Sequence, residues 1–354
     1  MEDVGFTGNE FCGNAAEGNR EIVEGRNAGI VNGFAIDQQI DLVAGVESWR
    51  KRGTVFEPDL NGIGDGPRIL LAAEREVFVG GAATEEEGPI CGVEDFLELI
   101  RGLKERFASV HLKAFTMVEV GYFARIAKLS VKDTLLRMKE AGVDSLPGGG
   151  AEIFHPRVRK IICDHKVSGQ MWLSIARQAH EIGLRSNATM LYGHVETEEE
   201  RVDHLVKLRE LQDQTHGFVT FIPLAFHPDN TALSYIPKPT GYADLRNIAV
   251  GRLLLDNFEH IKAYWIMLSP SIAQIALRFG ANDLDGTVVE EKIYHDAGAK
   301  TSEFTPRAEL ERLIRVAGRV PVERDTLYRP VDRSKMPPVP PTPRADLVSL
   351  TLNI

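Results

Sequence analysis

Short apolar runs alternate with amphipathic segments from residue 75 onward, and this constrains the fold more than any other feature of the chain. "REVFVGG" (75–81) reads as a strand ending on Gly80 and Gly81, and "VEDFLELIRGLKERF" (93–107) follows with Phe96, Leu97, Ile100 and Leu103 at helical spacing. "VHLKAFT" (110–116) is the next strand and "VKDTLLRMKEAG" (131–142) the next helix, stopped by Gly142. "VDSLPGGG" (143–150) is a strand with its turn, "QMWLSIARQAHEIG" (170–183) a helix, and "LRSNATMLYG" (184–193) a strand. The helix "TEEERVDHLVKLRELQDQTHG" (197–217) opens with Thr197 and three acids at its positive end, which suits the helix dipole. "FVTFIPLAF" (218–226), "DLRNIAVGRLLLDNF" (244–258), "IKAYWIML" (261–268) and "SIAQIALRFGAND" (271–283) continue as strand, helix, strand, and helix or turn. Regular alternation of this kind means a parallel sheet with helical crossovers. Six or more units favour an α/β fold of the (β/α) TIM type, here incomplete on its N-terminal side.

The boundaries follow from where that pattern starts and stops. Residues 1–66, with "GNEFCGNAAEGNREIVEGRNAGIVNG", are rich in Gly and Asn and keep neither period. Residues 67–332 form the barrel. Residues 333–354 form a Pro-rich tail, prefigured by "DRSKMPPVPPTPRADL". A length of 354 residues with 43% hydrophobic content allows a large core. The net charge of -10 and the absence of a basic block argue against a nucleic-acid partner. No run of about eighteen apolar residues and no signal-like N-terminus is present, so a cytoplasmic location without a membrane partner is expected. Cys12, Cys91 and Cys163 are too scattered for a disulfide framework.

In a parallel barrel the active site forms from the loops after the strands. The polar and glycine-rich positions of this sequence fall there. Gly80 and Gly81 close the first strand, Thr116 and Glu119 follow the second, and Pro147 to Glu152, with Gly148, Gly149 and Gly150, follow the third. Ser186, Asn187, Thr189, Tyr192 and His194 lie on and after the fourth, His227, Asp229 and Asn230 after the fifth, and Asn282 and Asp283 come near the end. Glycine at such ends lets backbone N–H groups approach a ligand that a side chain would block. Glu152 is a candidate acceptor or base, or simply a charge on a helix dipole. His194, Glu196 and His204 form no HxH or HxxxH pair, so no metal site is expected from them. His204 is expected on a solvent-facing helix, His180 at a helix surface or core edge, and Cys163 as a small packed residue. No GxSxG, Walker A, or GxGxxG after a strand is present.

Six segments carry a resemblance: "LKAFTMVEV", "DSLPGGGAEIF", "RSNATMLYGHVETEEERVDHLVKLRELQD", "GFVTFIPLAFHPDN", "FGANDLDGTVVEE" and "GRVPVERDTLYR". Over residues 76–330 the chain resembles the aminofutalosine (aminodeoxyfutalosine) synthases, radical S-adenosylmethionine enzymes of the futalosine route to menaquinone. "GGGAE" and "GANDLDGT" alone would also fit the sister family, the cyclic dehypoxanthine futalosine synthases. The resemblance implies a radical S-adenosylmethionine barrel with a [4Fe–4S] cluster and S-adenosylmethionine as cofactors. It also implies 3-[(1-carboxyvinyl)oxy]benzoate as the acceptor of the 5′-deoxyadenosyl group, small-molecule substrates, and a cellular one-electron reductant as partner. It places Gly80 and Gly81 against the methionine amino group, and Gly148, Gly149, Gly150, Glu152, Ser186, Asn187 and Thr189 against ribose, adenine or substrate carboxylates. Thr116 and His194 stand at the same rim. The family's CxxxCxxC cluster loop has no counterpart here, where Cys12, Cys91 and Cys163 stand 79 and 72 residues apart. Either residues 1–66 are a scrambled or frame-shifted stretch joined to a sound C-terminal two-thirds, or the chain is a cluster-free, catalytically inactive relative that keeps the barrel for binding a nucleoside or carboxylate.

Overall fold

Seven parallel strands stand side by side in chain order: β1 (Glu76–Val79), β2 (His111–Ala114), β3 (Ser145–Leu146), β4 (Arg185–Tyr192), β5 (Phe218–Ala225), β6 (His260–Ala263) and β7 (Asp283–Leu284). They are seen in a computed structural model, which describes residues 76–79, 93–286, 300–302 and 304–332. Residues 1–66, Gly80, Gly81, Cys12, Cys91 and the 333–354 tail lie outside the described residues. Among the described residues β7 does not pair back to β1, so the sheet is a curled, open barrel.

Between the strands run α1 (Val93–Arg106), α2 (Met117–Ala127), α3 (Val131–Ala141), α4 (Pro156–Ile162), α5 (Gly169–Glu181), α6 (Glu198–Thr215), α7 (Gly241–Leu254), α8 (Trp265–Leu268) and α9 (Pro270–Ala276), with α10 (Arg307–Val316) after β7. Local chemistry sets their starts. Thr116 and Thr197 each close a capping box with the glutamate three residues on, Glu119 and Glu200. Ser130, Ser168 and Thr240 cap α3, α5 and α7 with a side-chain oxygen on the third backbone N–H. Gly142, left-handed at φ 116°, ends α3.

Period two assigns the two faces of β4. Ser186 reaches His180 on α5 and Tyr192 reaches Asp244 on α7, so the even residues face the helices and Asn187, Thr189 and Leu191 face the barrel interior. On β5 the helix-facing residues are three apart. Phe218 packs between Trp172 and Phe258, and Phe221 lies against Phe258, because the β4–β5 register shifts between Ser186 and Ala188.

Several elements differ from the sequence reading. "MVEVGYFARIA" forms α2, where no helix was expected. "IKAYWIML" divides into β6 and the single helical turn α8. The strand in "VDSLPGGG" is only Ser145–Leu146. The short strand β7 and helix α10 were not assigned. His204 is not on a solvent-facing position: it is fully buried between α6 and the sheet, whereas His180 on α5 sits at the core edge as expected.

Along β6 and β7 the C-terminal segment turns back onto the sheet. Arg324 donates through Nε and Nη2 to the two Asp283 oxygens at 2.8 and 2.9 Å, and the Tyr328 hydroxyl donates to Oδ2 at 2.9 Å. Lys262 bridges Asp285 at 2.5 Å and Asp283 at 3.8 Å. The Tyr328 ring is sandwiched by Arg324, 3.9 Å from its centroid, and His260, 4.0 Å centroid to centroid. In this cluster every cation has an anion.

Candidate ligand site at the barrel rim

The C-terminal end of the sheet gathers most of the residues singled out from the sequence. β3 is short because Pro147 and three glycines follow it at once, and the chain turns over the top of the sheet. Each glycine carbonyl of this turn is held from behind. Thr189 Oγ1 donates to Gly148 O at 2.6 Å, Trp172 Nε1 donates to Gly149 O at 3.1 Å, and Arg159 Nη1 donates to Gly150 O at 3.3 Å and Ala151 O at 2.8 Å. Packing explains two of the glycines. A Cβ on Gly148 would lie 2.7 Å from the Asn187 carbonyl oxygen, and one on Gly150, already at φ 78°, would meet Val118 at 2.3 Å.

Glu152 also takes a left-handed backbone, at φ 45°. Its carboxylate accepts from Lys166 at 2.9 Å, so it is ion-paired rather than set on a helix dipole. Burial alone would raise this carboxyl, but Lys166, Arg159 and His194 together bring it below its ordinary value. Lys166, Arg159, Trp172 and His204 were not singled out as site residues. Only their tertiary positions bring them to the turn.

The remaining candidates divide by face. Asn187, nearly buried, and Thr189 lie on the interior face of β4 beside the turn. Ser186 points the other way, 2.9 Å from His180 Nε2, and belongs to the layer between sheet and helices. Thr116 is occupied as the N-cap of α2, its N–H donating to Glu119 at 2.6 Å. His194 Nε2 donates to Leu191 O at 3.0 Å while its Nδ1 lies 3.0 Å from Glu196. Burial pushes this imidazole down and Glu196 opposes the shift. His227 is buried, 3.2 Å from Met267 O. Asn282 bonds to the Ile261 N–H and Arg252, and Asp283 belongs to the ion-pair cluster on β6 and β7.

His204 links α6 to the rim. Nδ1 accepts from the Phe154 N–H at 3.2 Å, so Nε2 carries the proton and donates to Thr189 O at 3.0 Å, while the ring stacks on Phe154 at 3.9 Å. Burial pushes it down to about 3. Cys163 is packed in the core as expected, and burial pushes its thiol up to about 11. Among the described residues no three His, Cys, Asp or Glu side chains gather as a metal site requires, and no helix is long and apolar enough to cross a membrane.

Comparison with known proteins now adds to this geometry. Residues 215–336 match the family described as "CofH/MqnC C-terminal region". Over 240 residues the chain is 54% identical to the aminodeoxyfutalosine synthase of Thermus thermophilus, a match covering 67% of this chain and 64% of that protein. The chain thus spans just under two thirds of that relative's length. Over 264 residues it is 43% identical to 5-amino-6-(D-ribitylamino)uracil–L-tyrosine 4-hydroxyphenyl transferase 2 of Methanosarcina mazei, covering 73% of this chain and 68% of that protein. The fold is similar to that of methylornithine synthase, with a TM-score of 0.50 at 17% identity over 70% of this chain and 68% of that one.

Proposed function

The chain belongs to the family that holds the aminodeoxyfutalosine synthases and the 5-amino-6-(D-ribitylamino)uracil–L-tyrosine 4-hydroxyphenyl transferases, and on that premise we propose that its barrel serves an aminodeoxyfutalosine synthase. In this reading the rim holds S-adenosylmethionine and 3-[(1-carboxyvinyl)oxy]benzoate side by side. The observation that carries it is the built turn at Gly148–Ala151, backed by buried side chains and flanked by interior-facing Asn187 on β4. The higher identity to the synthase than to the transferase favours this pair of ligands over a tyrosine-containing one. Small molecules handled in the cytoplasm, with no nucleic acid or membrane surface as partner, accord with the net charge of -10.

The [4Fe–4S] cluster that the resemblance implies does not fit the cysteines of this sequence. Such a cluster takes three neighbouring thiolates and leaves one iron open. Cys163 is buried with its thiol pushed up to about 11, the opposite of a ligand's environment. Cys12 and Cys91 make two, not three. No step is therefore routed through a cluster here. What the chain's own residues supply is binding and orientation: backbone amides and Asn187 at the rim, and an apolar layer behind them that excludes water.

The missing thiolates favour a second reading, a cluster-free relative that keeps the barrel for binding. Iron and labile sulfide counted on the full chain after anaerobic reconstitution separate the two, with S-adenosylmethionine binding titrated in parallel. S-adenosylmethionine binding with no bound iron supports the binder. About four irons and four sulfides per chain support the synthase. Absence of both removes the ligand assignment altogether.

A further inference from the structure

The outer face of α9 and α10 is apolar where a helix face normally meets solvent with polar groups. The two helices pack on each other. Ala273 and Ala276 are the buried side of α9, while Ile275 and, four residues on, Phe279 are exposed. On α10, Leu310 and Leu313 are buried, whereas Val316 is 67% exposed and Val320, just beyond the helix, is 85% exposed. Side chains tie the two segments together. Gln274 Nε2 donates to Leu313 O at 2.9 Å, and Arg319 donates through Nε and Nη2 to Leu277 O at 3.3 and 3.2 Å. Ile275, Phe279, Val316 and Val320 therefore share one region of surface. Single exposed apolar residues are ordinary, but a group of them marks a contact site.

The charges around this patch are unbalanced. The arginines of α10 have partners: Arg307 and Arg315 bond to Glu311, and Arg312 bonds to Glu309. Arg278, whose guanidinium lies against Gly318, and Arg319 form no ion pair among the described residues. The occupant that suits such a surface is apolar along its length and carries an acid rather than a base.

The sequence holds a segment of that kind. No Lys or Arg follows Arg344, and Asp346 is followed by "LVSLTLNI" (347–354). Val348, Leu350, Leu352 and Ile354 fall on every second position, with Ser349, Thr351 and Asn353 between them. That is the pattern of a strand with one apolar face. Uncharged and free of proline, it is also a segment that aggregates if left in water. Its reach is sufficient. Val331 N–H donates to Glu323 O, and Glu323 pairs with Arg307 at the start of α10. Thirteen residues, 333–345, separate the described chain from Asp346, and five of them are prolines. A Pro-rich arm extends by about 3.1 Å per residue, so this one spans up to about 40 Å against roughly 15 Å for α10.

We infer that residues 346–354 fold back onto their own chain and cover this patch. The apolar face of the segment packs on Ile275, Phe279, Val316 and Val320, and Asp346 meets the Arg278 and Arg319 guanidinium groups. A second copy of the chain is the poorer occupant, because a two-fold contact over the patch brings its arginines against themselves. The contact is independent of what the barrel rim binds.

Hydrogen–deuterium exchange of the full chain, read by mass spectrometry at several protein concentrations, tests this. Peptides from 346–354 exchange about tenfold or more slowly than an unstructured chain, to the same degree at every concentration. Val320→Asp, a change at an exposed position, returns them to the unstructured rate, and so does Phe279→Asp. Arg278→Glu lowers the protection about threefold. Deleting residues 345–354 speeds exchange in the peptides of α9 and α10. Exchange of 346–354 at the unstructured rate in the full chain overturns the contact. Protection that survives both Val320→Asp and Phe279→Asp also overturns it and seats the segment elsewhere. Protection that rises with concentration overturns it too and assigns the patch to contact between copies.

Discussion

Two buried charge clusters, one along β6 and β7 and one behind the turn after β3, are built differently. Along β6 and β7, Lys262 and Arg324 face Asp283 and Asp285, and Tyr328 closes the group. Burial opposes the charge on Lys262, but its two aspartates more than restore it, while Asp283 is drawn below its ordinary value despite burial. At the rim, Arg159 spends its donors on carbonyls and acts on Glu152 only at a distance, without a direct ion pair. A paired cluster is a lock, complete without anything added. The other cluster fixes the carbonyls of a turn at the proposed ligand rim. Substitutions in the two clusters should therefore separate into those that cost stability and those that cost binding.

The largest stability loss belongs to the lock. Asp283→Ala leaves Lys262 and Arg324 facing one another with half their counter-charge gone and takes one acceptor from the Tyr328 hydroxyl. Breaking a buried pair in this way costs about 3–5 kcal/mol. Urea unfolding of the variant should show a midpoint lowered accordingly, and a shift under about 1 kcal/mol would mean that the C-terminal segment is not held by this cluster. Binding at the rim should be unchanged in the fraction that remains folded.

The next effect comes from two neutral histidines held down by burial. Burial holds His204 down to about 3 and His180, beside Arg185 and Arg177, down to about 4, whereas both take protons near 6.5 when unfolded. The unfolded chain thus binds more protons between those values, so stability is complete above about 6.5 and is lost as the pH falls toward 4 and 3. Each histidine contributes about 2 kcal/mol of that loss between pH 6.5 and 5. His204→Asn should flatten the slope in a pH series of unfolding curves. An unaltered slope would place the acid sensitivity elsewhere.

How much of this was legible in the sequence follows from the range of the interactions. The strands β4 and β5 and the helices α1 and α6 announce themselves because period and capping are local. α2 escaped because Val118, Val120, Tyr122 and Phe123 look strand-like, although its capping box, Thr116 with Glu119, was a readable start signal. α8 escaped because four apolar residues after β6 continue the strand pattern without a break. The rim glycines were visible, yet what holds them was not. Trp172 and Thr189 reach their carbonyls from 23 and 41 residues away, and an arginine buried without a direct ion pair cannot be seen until its neighbours are placed. Arg159 in "HPRVRKII" reads as an ordinary surface charge on a short helix.

Trp172→Phe is the sharpest test of the contrast between lock and rim, because its two effects are unequal. A phenyl ring can still stack against Phe154 and Phe218, but the hydrogen bond to Gly149 O and part of a fully buried indole are lost. The lost hydrogen bond and the cavity together cost about 2 kcal/mol of stability, less than removing Asp283. A variant whose unfolding midpoint moves less than that of Asp283→Ala while S-adenosylmethionine affinity drops would assign Trp172 to the ligand rim. If the midpoint fell as far as in Asp283→Ala, the turn would be a second lock.

Cys163 offers the smallest effect and a probe of the same ground. It caps α4 behind the turn, where burial raises its thiol to about 11, Arg159 and Lys166 pull it down, and Glu152 pushes it up. At neutral pH almost no thiolate forms, so the residue can neither hold iron nor react quickly. Cys163→Ala removes one sulfur from the packed core and should cost about 1 kcal/mol with no change in bound iron. The pH dependence of alkylation at Cys163 in the native chain should bend near 11. A bend near 8 would mean that the thiol is solvated. The burial of Arg159 beside it would then be doubtful, and with it the hold of that guanidinium on the Gly150 and Ala151 carbonyls.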